Sequence, residues 1–314
     1  MKIFDEASTR DALPFGRLVS CLETMFRQGC TVPKRHVHQV EAGGAQGTVL
    51  IMPAWNDQYL GIKTVNVYPG NGRLGLPGLF AAYSLFNSKT GELLAQMDGN
   101  VITARRTAAA SALAASRLAR KDARRLLILG AGRVASLLPL AYGAVMPLES
   151  VSIWSRNLQA AENLATSLLN QGISAHAVSD LPSALKEADM VSSATLATEP
   201  ILQGAWLHDG MHVDLIGGFT PQMREADDEV FAGASIFVDT PEALEKSGDL
   251  LGPLARGVIV PSHVMANLTE LCTGQHPGRR HEDERTVFKS VGSALEDLAA
   301  AMVVFEHHQA VAVK

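Results

Sequence analysis

The spacing of apolar positions changes twice along this chain. Between Asp11 and Gln28 the residues Leu13, Leu18, Cys21, Leu22, Met25 and Phe26 recur at helical intervals and predict an early amphipathic helix. Four β-prone runs follow, RHVHQV, GTVLIMPAW, YLGIKTVNVY and GLFAAYSLFN, separated by Gly-Gly, Asn-Asp, Pro-Gly-Asn-Gly and Lys-Thr-Gly-Glu; they predict a mostly antiparallel sheet. Thr103 then stands where a helix cap is expected, ahead of strong helix formers from Ala104 to Leu118. From Arg125 the rhythm becomes strand, helix, strand: RLLILG, VASLLPLAYGAV, SVSIWSR, LQAAENLATSLLNQ, SAHAV, LPSALKEA, DMVSSAT, MHVDLIGG, SIFVD and GVIVP. Short Val/Ile-rich strands alternating with helices predict a parallel sheet covered on both faces. After about Arg285, TVFKSVGSALEDLAAAMVVFEHH reads as helical again.

The fold class is therefore α/β, a Rossmann-type doubly wound parallel sheet joined to an α+β domain. The expected boundaries are 1–119, completed by 289–314, and 120–288. A chain of 314 residues can bury two cores of ordinary size. Its composition, 47% hydrophobic and 19% charged with a net charge of -5, offers no basic excess for phosphate and argues against nucleic acid as a partner. No apolar run approaches a membrane span, the N-terminus lacks the apolar core of a signal peptide, and the three cysteines show no paired spacing, so a reducing cytoplasm is expected. His36 and His38 alternate on one strand face without a third ligand or carboxylate, and no metal site is expected.

Gly130, Gly132 and Ala135 form G-x-G-x-x-A between an apolar strand and a helical run. The first glycine permits a tight turn, the second lets backbone approach a pyrophosphate, and the small third residue lets helix and strand pack closely. Arg133 and Val134, inside the fingerprint, and Thr107 are added as nucleotide contacts. The next strand ends in Ser155, Arg156 and Asn157, where an NAD-binding chain carries an acid for the ribose. A guanidinium and a hydroxyl suit a 2'-phosphate, so NADPH is preferred as cofactor with NADH possible; the alternative is that Arg156 is a solvated surface residue.

Lys63, within an alternating strand, is either a snorkelling edge residue or a placed cation. Arg35 is unremarkable alone, and Arg106 is placed near the opening of a helix, where its charge opposes the dipole. With PKRHVH, GIKTVNVYPGN, MDGNVITARRTAAASALA, LGAGRVA, TLATEPIL and VFKSVGSALEDLAAA in view, nearly the whole chain resembles the ornithine cyclodeaminase and mu-crystallin family. The resemblance implies that the N-terminal sheet and the returning C-terminal helix form a substrate-binding and dimerising domain, with the Rossmann domain between. It places the family's three substrate-carboxylate cations on Arg35, Lys63 and Arg106, and positions lining the nicotinamide on Thr195, Leu196 and Ser290. Arg105, about 100° round the helix from Arg106, is expected to face elsewhere.

One departure bears on the chemistry. Cyclodeaminases of the family carry an acid in a segment resembling G-A-D-x-P-G, whereas this chain reads GGFTPQMRE, with Phe219 and Thr220 at that point. Neither titrates near neutrality, and cyclodeamination needs an acid or base at the amine. What remains is the family's other chemistry, hydride transfer to a C=N carbon beside a carboxylate, and GGFTP together with VITARRTAA resembles the family's ketimine reductase branch. The resemblance implies reduction of Δ1-pyrroline-2-carboxylate to proline, or of Δ1-piperideine-2-carboxylate to pipecolate, by a homodimer acting on a small cyclic imino acid. Lys63 is the expected proton donor, with Thr220 or a water as relay, although three cations would themselves oppose a cationic iminium. The alternatives are an ornithine cyclodeaminase using a relocated acid, an amino-acid dehydrogenase, and a mu-crystallin-like NADPH-dependent binding protein.

Overall fold

The computed structural model describes residues 1–312. The first elements in chain order are β1 (Lys2–Phe4), α1 (Glu6–Asp11), α2 (Phe15–Gln28), β2 (His36–Ala42), β3 (Ala45–Trp55), β4 (Tyr59–Val67), β5 (Leu79–Asn87), β6 (Leu93–Asp98) and α3 (Gly99–Leu118). Then come β7 (Arg125–Leu129), α4 (Leu138–Gly143), β8 (Ser150–Trp154), α5 (Leu158–Leu169), β9 (Ala175–Val178), α6 (Leu181–Glu187), β10 (Met190–Ser193), β11 (His212–Leu215) and α7 (Asp228–Phe231). The last are β12 (Ser235–Val238), α8 (Ala243–Lys246), α9 (Gly248–Ala255), β13 (Val264–Asn267), α10 (Leu268–Thr273), β14 (Thr286–Lys289) and α11 (Ala294–Ala312). Two compact units divide the chain, one made of Met1–Arg106 and the stretch from Ser293 on, the other of Thr107–Gly292.

In the first unit six strands are ordered β1-β6-β5-β4-β3-β2, antiparallel except for β1 beside β6. The two-residue period sends Met52, Lys63, Tyr83 and Met97, aligned across four strands, to one buried face. Helix α11 packs against α2 and along β3 and β4. Leu298, Ala299, Ala300, Ala301, Val303, Val304 and Phe305 are all buried, so α11 is apolar on nearly every side, as a helix covered all round must be. On the opposite sheet face Val49, Ile51, Pro53, Ile62, Phe80 and Ala82 stay half-buried or exposed.

Several expectations shift here. The helix expected over 11–28 is α2 and begins only at Phe15, because Pro14 holds an extended conformation at its head; Asp11 closes the separate α1. Thr103 is not the cap of α3; the Asp98 carboxylate accepts from the Val101 amide at 2.8 Å, and Thr103 lies inside the helix. Strands β1 and β6 lie outside the four predicted runs, being too short to display an alternation of their own.

The second unit is an eight-stranded parallel sheet ordered β13-β12-β14-β11-β10-β7-β8-β9. The chain runs outward from β7 through β8 to β9, then returns to the other side of β7 with β10, which puts a topological switch point between β7 and β10. Segment TVFK, expected as helix, is β14 and lies between β11 and β12 with all four residues buried; a short buried apolar run carries no period that separates strand from helix. GVIVP forms no strand, and β13 follows it at Val264–Asn267. The helix expected after the fingerprint begins as a 3-10 turn, Ala135–Leu137, continued by the six-residue α4 with Pro139 in its first turn. Among the described residues no helix is long and apolar enough to cross a membrane.

Asp214, in the centre of β11, is fully buried, and its Oδ2 accepts from Tyr142 at 3.1 Å and from Ser192 at 2.5 Å. Burial pushes its carboxyl up to about 6, opposed by the hydroxyls of Ser192, Ser111 and Tyr142 and by the Lys289 charge. A carboxyl raised on folding contributes stability below its unfolded value near 4, and that contribution is lost as pH rises through about 6. Asp214→Asn should therefore gain at most about 3 kcal/mol at pH 8 and nothing at pH 4. Urea unfolding at the two pH values measures this, and a variant no more stable than wild type at pH 8 contradicts it.

Candidate substrate and nucleotide sites

Lys63 and Arg106 come together in the first unit, but not as free cations. The Lys63 Nζ lies 2.6 Å from Asp297 Oδ2, and Arg106 donates through Nη1 to Glu296 Oε2 at 2.7 Å and through Nε to Asp297 Oδ1 at 3.0 Å. Lys63, Glu296 and Asp297 are at most 2% exposed and Arg106 is 6% exposed, so all four charges are held out of water and must compensate one another. Burial, helped by the Arg106 charge, drives the Lys63 ammonium down to about 8 against the pull of Asp297 and Glu296. An ammonium so placed is charged at neutral pH and can still release its proton.

Arg106 lies about two turns inside α3, so the helix dipole does not explain its position; its two ion pairs do. Arg105 does face elsewhere, donating to the Leu13 carbonyl with its guanidinium 4.2 Å from the centre of the Phe15 ring. Arg35 stands directly before β2, whose register opposes His36 to Ile51 and so leads Arg35 towards Met52, the strand partner of Lys63. It is half-buried. Glu296 and Asp297 were not singled out from sequence. Two acids in the first turn of a helix are ordinary dipole partners, and only their reach to cations far back in the chain shows the larger role.

In the second unit Gly130 follows β7 with φ at +111°, and a Cβ there would meet the Ala194 carbonyl oxygen at 2.8 Å. This turn and the end of β10 flank the switch point, where open α/β sheets bind their ligands. Around Gly132 a Cβ would meet nothing within 4 Å, Arg133 is exposed, Val134 is half-buried and Ala135 is fully buried. A turn that is tight below and open above fits a pyrophosphate. After β8, Ser155 is half-buried and Arg156 exposed, whereas the Asn157 side chain caps α5 by accepting from the Ala160 amide at 3.4 Å. Thr195 is half-buried, Leu196 is 74% exposed, and Ser290 and Thr107 are buried.

The segment after β11 presents Phe219, 44% exposed, then Thr220. The carboxylates that follow are committed. Glu225, fully buried, accepts from Ser193, Thr195 and Gly217, and Asp249, also fully buried, accepts from the Glu225 and Ala226 amides and lies 3.1 Å from the Lys289 ammonium. Among the described residues no group of three or more His, Cys, Asp or Glu could hold a metal ion.

Residues 11–311 match the model of the ornithine cyclodeaminase/mu-crystallin family. A Δ1-pyrroline-2-carboxylate reductase of Paracoccus denitrificans is 45% identical over 284 residues, 89% of each chain. Among solved structures, a Thermococcus litoralis Δ1-pyrroline-2-carboxylate reductase in complex with NADH and L-proline superposes with a TM-score of 0.93 at 32% identity, over 99% of this chain and 98% of that one. An archaeal alanine dehydrogenase dimer with bound NAD gives a TM-score of 0.91 at 29% identity, over 99% and 96%.

Removing one partner from the buried charge cluster leaves a cation uncompensated. Asp297→Ala should cost about 3 to 5 kcal/mol of stability, because Lys63 and Arg106 both lose a carboxylate oxygen. Urea unfolding at pH 7 checks this; a loss below about 1 kcal/mol, the scale of an exposed pair, contradicts the burial argument.

Proposed function

The chain belongs to the ornithine cyclodeaminase/mu-crystallin family, and from that premise we propose that it is a nicotinamide-nucleotide-dependent reductase of cyclic ketimine carboxylates. Its substrates are Δ1-pyrroline-2-carboxylate and Δ1-piperideine-2-carboxylate, and its products proline and pipecolate. The observation that carries this reading over a cyclodeaminase is the segment after β11, where Phe219 and Thr220 stand in place of the acid while Glu225 and Asp249 are buried and bonded. Asp214 is no substitute, being sealed inside the sheet against Tyr142 and Ser192.

The first unit holds the substrate and the second the nucleotide. Arg35, Lys63 and Arg106 bind the carboxylate, which suits a guanidinium fork and a compact ammonium. Gly130, Gly132, Arg133, Val134 and Ala135 hold the pyrophosphate turn, with Thr107, Thr195, Leu196 and Ser290 as further contacts. When bound, the nucleotide supplies the hydride for the C=N carbon. Lys63 gives its proton to the imine nitrogen, and Thr220 or a water returns one to it. Glu296 and Asp297 offset the charges of Lys63 and Arg106. A protonated iminium therefore meets less positive charge than three bare cations would present, and the opposition expected from them is reduced.

NADPH is the preferred nucleotide, with NADH accepted, because Ser155 and Arg156 follow β8 where an acid would repel a 2'-phosphate. A second copy of the chain covers the sheet face of Val49, Ile51, Ile62 and Phe80; the archaeal alanine dehydrogenase resembling this chain is likewise a dimer. No disulfide joins the three cysteines, in keeping with a reducing cytoplasm.

Loss of nicotinamide absorbance on mixing NADPH with Δ1-pyrroline-2-carboxylate tests the activity, beside ornithine with NAD assayed for ammonia. Oxidation without ammonia is expected, and ammonia release from ornithine would overturn the reading. Arg106→Ala should lose about 2 to 5 kcal/mol of substrate binding, a KM raised about thirtyfold or more. Since the proton donor must be charged, kcat/KM should fall as pH rises through about 8, and a rate flat from pH 7 to 9.5 would remove Lys63 from that role.

A further inference from the structure

Glu225 is a fully buried carboxylate that no step of the reduction uses, and it accepts four hydrogen bonds. Its Oε1 receives the Ser193 hydroxyl at 2.7 Å, the Thr195 amide at 2.7 Å and the Thr195 hydroxyl at 2.8 Å; its Oε2 receives the Gly217 amide at 2.5 Å. These donors belong to two separate loops, one leaving β10 and one leaving β11, and a single side chain ties both. The loops touch there, since a Cβ on Gly217 would lie 1.9 Å from the Thr195 carbonyl oxygen. The β10 loop in turn abuts the Gly130 turn through Ala194. Three segments at the carboxyl ends of adjacent strands thus share one fixed geometry.

Glu225 is itself anchored. Its amide and that of Ala226 donate to Asp249 Oδ1 at 2.7 and 3.1 Å, and Asp249 Oδ2 is 3.1 Å from the ammonium of Lys289, which precedes Ser290 at the end of β14. Its carbonyl accepts from the Ile201 and Leu202 amides. We propose that Glu225 is a positioning residue for the nicotinamide end of the nucleotide site, setting the backbone of Thr195 and Gly217 before the nucleotide arrives. This rests on the reductase reading, in which Thr195, Leu196 and Ser290 line the nicotinamide. Pre-set backbone binds without an ordering cost, so nucleotide affinity depends on a carboxylate that never touches the nucleotide. Only a carboxylate can do this. An amide of the same shape turns one acceptor oxygen into a donor that faces N–H or O–H groups.

Glu225→Gln tests the proposal through the dissociation constant of NADH and NADPH, read by fluorescence titration without substrate, and through hydrogen exchange at the Thr195 and Gly217 amides. The expected result is a dissociation constant raised about tenfold or more, faster exchange at those two amides, and an unchanged KM for the ketimine carboxylate. Nucleotide affinity within twofold of wild type, with only a lowered Tm, overturns it. If that variant does not fold, Ser193→Ala removes a single donor and should weaken nucleotide binding severalfold; unchanged affinity there likewise overturns it. Wild-type protein that binds neither nucleotide overturns the reductase reading and this proposal together, whereas wild-type binding with an indifferent variant overturns this proposal alone.

Discussion

Lys63 and Arg106 are held out of water, and the carboxylates that keep them charged stand on consecutive residues of α11. A buried ion without a partner costs several kcal/mol, so the first unit cannot place these cations unless the end of the chain comes back to meet them. Asp297 lies 191 residues beyond Arg106, and everything between Thr107 and Gly292 is a separate unit. From Leu298 to Phe305 the same helix is apolar all round, so packing and charge favour one placement. The late start of the nucleotide fingerprint follows: the second unit is inserted into the first, between the cations and their counter-charges.

The second unit uses buried acids differently. Glu225 receives backbone amides and hydroxyls from loops leaving β10 and β11, Asp249 receives two amides and the Lys289 charge, and Asp239 receives the amides of Val291 and Gly292 at 2.7 and 2.6 Å. Carboxylates in the first unit hold buried cations, whereas these hold loops in place. The Gly130 turn, by contrast, has open space around Gly132.

How much of this could be read in advance depended on whether the cause was local. The Gly130 turn, the β7 to β11 rhythm and the glycine- and asparagine-rich turns between the first strands are set by neighbours in sequence, and they were legible. Strand β14 was not, because TVFK is buried on both sides and flanked by a helix, which leaves no period to read. Glu296 and Asp297 were hidden for the opposite reason, since their local pattern was fully explained by a helix N-terminus. Arg106 was singled out as opening a helix, but α3 starts at Gly99 and the residue's distinction lies in ion pairs formed across the unit. Asn157, expected at the nucleotide, has its side chain engaged as a cap of α5.

The choice between reduction and cyclodeamination then becomes a matter of charge. Cyclodeamination needs a free acid or base at the amine, and the segment after β11 offers an aromatic ring and a hydroxyl, with Glu225 and Asp249 beyond it locked into backbone contacts. Reduction asks less. It needs a carboxylate clamp, a proton from a group that can part with one near neutrality, and surroundings that do not repel a cation. Read from sequence, three cations met the first need and violated the third. With Glu296 and Asp297 counted, two of the cations are already matched, and burial has made the Lys63 ammonium more acidic. The buried carboxylates that stabilise the fold are thus the groups that offset the positive charge of Lys63 and Arg106.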